Sequence, residues 1–129
     1  MTDSPSMLHT LTPEQAYANA PTITAEIAWL ARQITTKAPG TDLPREFWLR
    51  KLATLDRIGL RDEDPAVLPE IAAAAALLLE LDAAHTSVYG NPVSLGTYPA
   101  DHPLWDHLGP LAYLRQEYRA WTKHAARAA

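Results

Sequence analysis

The chain contains no cysteine. That absence removes disulfides, thiolate nucleophiles and cysteine-ligated zinc at once, and it fits a reducing compartment. No apolar run reaches bilayer length either: the uninterrupted stretch from Ile71 to Leu79 stops well short of the roughly 20 residues that a spanning helix needs. Positive charge is in deficit, with 11 Lys and Arg against 15 Asp and Glu and a net charge of -4. This balance opposes nonspecific attraction to phosphate backbones or anionic lipid. The opening residues MTDSPSMLHT put an acid where a secretory signal carries basic residues and offer no apolar core, so the expected location is cytoplasmic. No P-loop, dinucleotide fingerprint, nucleophile elbow or zinc spacing occurs, and neither a cofactor nor a metal is expected.

The most informative feature present is that apolar run, IAAAAALLL, set between Glu70 and Glu80. At about 100° per residue, Glu70, Glu80 and Asp82 project in three directions, so this helix has no broad solvated face and most of its circumference must meet protein. It reads as the central helix of the fold, with its body starting near Pro69 and running to about Tyr89, where Gly90 stops it.

Around it, the boundaries of other helices are legible. Thr12, Pro13 and Gln15 supply an N-cap, a first-turn proline and a capping-box partner for a short helix ending near Asn19. Ile23, Ile27, Leu30 and Ile34 form an apolar stripe on a helix over 22–37. Asp42 and Pro44 open a helix whose apolar positions Trp48, Leu49, Leu52, Leu55 and Ile58 suit two neighbours, and Gly59 reads as its left-handed terminator. Turn formers fill 90–101, the one long loop. Asp101 and Pro103 open a helical turn through Leu108, and Gly109 and Pro110 restart a last helix with a seam of Leu111, Leu114, Tyr118, Trp121 and Ala125. The expected fold is all-α: an antiparallel four-helix bundle with a short extra N-terminal helix and a broken C-terminal helix. Residues 1–11 form a flexible N-terminus and 12–129 a single domain of sufficient length to bury a core.

Chemistry is thinly signalled. Asp82 and His85 stand one turn apart, a spacing at which a carboxylate can fix an imidazole tautomer for base catalysis or ligation, though a pair closing the helix end satisfies the same spacing. In DHPLWDH, His102 and Asp106 share a helical face, while Asp101 suits an N-cap. Together with Tyr89, Tyr98 and Trp105, the residues Asp82, His85 and His102 outline a candidate small-ligand pocket beside the loop; aromatic plugs at helix junctions are the competing structural account. Arg45, Arg50, Arg57 and Arg61 make a modest basic stripe interrupted by acids, the pattern of a solvated mixed-charge face more than of a nucleic-acid reader. Trp29 and Tyr113 lie off their helices' apolar stripes, so each needs a cover, from Tyr17 in the case of Trp29 or from another chain, and both are candidate interface residues for a homodimer.

The segments PREFWLRKLATLDRIGL and YLRQEYRAW resemble small uncharacterised actinobacterial α-helical proteins. The resemblance covers those two helices and implies a helical fold, with no activity or site residue to carry over.

With catalytic motifs lacking, the leading expectation is a non-enzymatic helical interaction or regulatory protein whose partner is another protein or itself. A small-ligand binder or enzyme using the pocket by 90–101 is the alternative, and a helical nucleic-acid binder the third.

Overall fold

The computed structural model describes residues 11–84 and 97–128. The expectations for the N-terminal residues to Thr10, for His85 and Tyr89, and for the loop as far as Gly96 lie outside the described residues. The protein is all-α: among the described residues are six helices and no strand, namely α1 (Pro13–Ala16), α2 (Ile23–Thr36), α3 (Arg45–Asp62), α4 (Leu68–Ala83), α5 (Leu104–Leu108) and α6 (Pro110–Ala128). None of these is long and apolar enough to cross a membrane.

Local signals account for most boundaries. The Thr12 hydroxyl accepts from the Gln15 backbone N–H at 3.1 Å while the Gln15 side chain accepts from the Thr12 N–H at 3.0 Å, so the capping box is complete. Thr22 caps α2 by accepting from the Ala25 N–H. Gly109, at φ 86°, adopts the left-handed turn that separates α5 from α6, a conformation that costs glycine nothing. Some boundary expectations fail: α1 ends at Ala16, short of Asn19, and α4 ends at Ala83, with Ala84 as its C-cap, short of Tyr89. Asp42 does not cap α3, whose N-cap is Pro44 with no side-chain bond. Gly59 does not end it: α3 continues to Asp62, and Glu63 takes the left-handed position at φ 50°. Gly59 is buried inside the helix instead, where a Cβ would sit 3.5 Å from Ile71 Cδ1, an ordinary van der Waals contact between α3 and α4.

Packing places α3 and α6 at the centre. The principal contacts of α3 are with α2, α4 and α6; those of α6 are with α1, α3, α4 and α5. One core joins Leu49, Leu52 and Ala53 of α3 to Ala75 and Leu78 of α4 and Leu114 and Tyr118 of α6. A second joins Ala100, Leu104 and Trp105 to Tyr113. The alanine-rich helix is therefore not central. It buries Ile71, Ala75, Leu78 and Asp82, while Leu77 is 62% and Leu81 63% exposed. Its apolar circumference needs more neighbours than α3 and α6 supply.

The inward face of α2 is rotated from the expected one, with Ile23 and Leu30 of the stripe half-buried beside Glu26. Ile27 and Ile34 of the apolar stripe face solvent, and the one fully buried residue of the helix is Glu26. An ion pair with α3 turns the helix this way.

Candidate functional site

Three buried carboxylates, each on a different helix, share one pattern. Each accepts two N–H bonds from one arginine and one O–H bond from one tyrosine. Glu26 on α2 accepts from Arg50 Nε at 3.0 Å and Nη2 at 2.5 Å, and from the Tyr118 hydroxyl at 2.8 Å. Asp56 on α3 accepts from Arg115 Nε at 2.9 Å and Nη2 at 3.0 Å, and from the Tyr17 hydroxyl. Asp82 on α4 accepts from Arg45 Nε at 2.9 Å and Nη2 at 2.6 Å, and from the Tyr113 hydroxyl at 2.6 Å. Glu26 and Asp56 are 0% exposed. Burying an ion without such partners costs several kcal/mol, so the doubly donating arginine, bidentate at Asp56 and Asp82 and on the single Oε1 of Glu26, and the hydroxyl are what allow these acids inside.

The tyrosines show the reverse side of the arrangement. Burial first, and then the neighbouring carboxylates, push the Tyr17, Tyr113 and Tyr118 hydroxyls above their ordinary range, so they remain donors. Arg45 also holds Glu117 at 2.9 Å; burial raises the Glu117 carboxyl, against the opposing effects of Gln116 and Arg45. Arg50 lies 3.6 Å from the Trp29 ring centroid and 4.5 Å from that of Trp121, and also reaches Glu46 at 2.8 Å. The basic stripe read from sequence is thus largely consumed: Arg45 and Arg50 point into buried ion pairs, and Arg61 bonds Asp62.

The candidate residues fall as follows. Asp82 is not a free base, since both its oxygens accept bonds from Arg45 or Tyr113. The proposed pairing with His85, and Tyr89 with it, lies outside the described residues. Tyr98, His102 and Trp105 do come together, as packing. The Tyr98 and His102 rings are 4.7 Å apart, the Trp105 indole donates to the Pro99 carbonyl at 2.9 Å, and His102 Nδ1 accepts the Leu104 N–H at 3.0 Å, while the N-cap of α5 is Pro103 and not Asp101. Trp105 in turn meets Tyr113 edge-on at 5.2 Å, which links this cluster to Asp82. Among the described residues no group of three or more His, Asp or Glu is placed to hold a metal ion.

Both interface candidates are corrected in detail. Tyr113 is 2% exposed and belongs to the core, because α6 is covered on more than its apolar seam. Trp29 is half-buried, and its cover is Arg50 together with Phe47, whose ring is 6.5 Å away, not Tyr17.

Sequence reasoning missed a groove between α3 and α4. It has a volume of about 680 Å³ and is walled by Trp48, Leu52 and Leu55 on one side and Ala74, Leu77, Leu78 and Leu81 on the other. Four of these are large and exposed: Leu77, Leu81, Trp48 and Leu55. Arg45 and Asp82 close one end as an ion pair, and Lys51 stands over the Trp48 ring at 5.2 Å. The signal for this face was in the sequence, in the helix without a solvated side and the broad apolar face of α3; the missing knowledge was which neighbour would be absent.

Fold and face together define an all-α protein with charge-tied helices and an open apolar groove between α3 and α4. Comparison with protein-family models, with curated proteins and with solved structures returned no match.

Proposed function

We propose that this chain is a non-enzymatic cytoplasmic interaction protein that docks a protein partner on the α3/α4 face. The observation that carries the reading is the exposure of Leu77 and Leu81 on a helix with no polar side to turn outward. Fully burying a side chain of this size is worth about 1.5–3 kcal/mol. Leu77, Leu81, Trp48 and Leu55 each retain roughly half of that, so covering all four yields about 3–6 kcal/mol. Association costs on the order of 4–15 kcal/mol, which makes this face a reversible contact reinforced by its polar rim.

The test is co-purification from the host with tagged wild type and with Leu77→Glu/Leu81→Lys. That pair of substitutions places Glu and Lys at i and i+4 and so favours the helix. A partner captured by the wild type and lost by the folded variant is the expected result. Equal recovery by both overturns the reading.

A second reading draws on the groove volume, which lies within the range of small-molecule clefts. Native mass spectrometry of host-purified protein distinguishes it, by a retained small adduct that is absent from the same double variant.

A further inference from the structure

We propose that the occupant of the α3/α4 face is the same face of a second copy of this chain, joined as a two-fold dimer with α4 of each copy laid against α3 of the other. This rests on reading the face as an interaction surface and names its partner.

Shape is the first support. The face holds a ridge and a hollow side by side: Leu77 and Leu81 protrude from α4, while the floor of the groove is made by Leu52, Leu78 and Ala74. A surface carrying both halves of a knob-and-hole contact is what a two-fold interface requires, because each copy must supply the same patch. Leu77, Leu81 and Ala84 recur at spacings of four and three, the seam of a helix that packs against another, and they lie beside the inward seam of Ile71, Ala75, Leu78 and Asp82. Thus α4 carries two apolar seams, one buried in the core and one exposed at Leu77 and Leu81.

Charge selects the arrangement. From Leu68 to Ala83, α4 contains no basic residue and, with Asp82 tied to Arg45, presents Glu70 and Glu80, whereas Lys51 lines the groove from α3. Laying α4 on the partner's α4 sets like charges together. Laying it on the partner's α3 brings the acid-only helix to the lysine, whose stem covers leucine while its ammonium reaches the rim.

Size sets the strength. Twelve residues line the groove, against roughly 20–30 per side in a standard stable interface. The dimer therefore dissociates on dilution, with a midpoint in the micromolar range or weaker.

Sedimentation velocity of the full chain from low to several hundred micromolar tests this. The wild type is expected to pass from monomer to dimer, and Leu77→Glu/Leu81→Lys to stay monomeric with unchanged helical circular dichroism. Lys51→Glu and Glu80→Lys should each weaken the dimer by about tenfold, and their combination should restore it. A wild type monomeric throughout overturns the proposal but not the interaction reading, which stands or falls on partner capture. A dimer that persists in the leucine variant also overturns it, by placing the contact elsewhere. A leucine-sensitive dimer indifferent to both charge reversals overturns the α4-on-α3 arrangement.

Discussion

The interior behind α6 and the surface over α4 are filled the wrong way round by a simple hydrophobic rule. Inside lie Glu26, Asp56 and Asp82; outside stand Leu77 and Leu81. The difference between the two regions is whether the cost of placement has been met. Each buried acid has an arginine that donates twice and a tyrosine hydroxyl, so its desolvation is offset by three charge-assisted bonds. The leucines stand mostly exposed, and water is the poorest neighbour available to an apolar side chain. Burial of charge here is a completed structure, whereas exposure of leucine is an uncompleted one.

The sharpest way to break this comparison is to alter both regions in the same denaturation experiment. Asp56→Ala leaves the Arg115 guanidinium buried without its acid and is expected to cost about 3–5 kcal/mol. Leu77→Glu/Leu81→Lys is expected to change the stability of the monomer by less than about 0.5 kcal/mol. Equal effects from the two variants would mean that the acids are incidental or that the leucines are already covered.

The charged interior is sharpened further by alkali. An acid whose folded pKa lies above its unfolded value stabilises the fold only while protonated, so stability from Tyr17, Tyr113 and Tyr118 is full below pH 10, their unfolded value, and is lost as pH rises beyond it. Absorbance near 295 nm should show these three tyrosines ionising together with loss of helical signal. Ionisation of all of them near pH 10 with the fold intact would show that the hydroxyls are not held by the carboxylates.

The smallest effect belongs to the apolar side. Since Gly59 is helical and an added Cβ meets Ile71 at ordinary van der Waals distance, Gly59→Ala is expected to stabilise by up to about 1 kcal/mol through helix propensity. A lower thermal midpoint would mean that α3 and α4 have no slack at this point.

What could be read from sequence follows from the range of the interaction. The caps at Thr12 and Thr22 and the break at Gly109 and Pro110 act over a few residues, and the structure has them. The face that α2 turns inward is decided by Arg50, 24 positions from Glu26, and by Tyr118, 92 positions away. No periodicity within 22–37 could weigh that pair against an isoleucine stripe. The same holds for Asp82, whose arginine is 37 positions distant; the nearby His85 was the only partner that local spacing could suggest. The α3/α4 face was half legible. A helix with no solvated side announces that it needs neighbours, but not which of its apolar residues will stand exposed.

All three carboxylate clusters draw a residue from one short stretch of α6: Tyr113 for Asp82, Arg115 for Asp56 and Tyr118 for Glu26. During synthesis at about 5–20 residues per second, the stretch from Asp82 to Tyr118 takes about 2–7 s to emerge, and until then these acids have an incomplete set of donors. The earlier helices must keep their charges in water through that interval and close only when the last helix arrives. A nascent chain interrupted before Tyr113 has no means of closing, and is left as a substrate for chaperones and proteases.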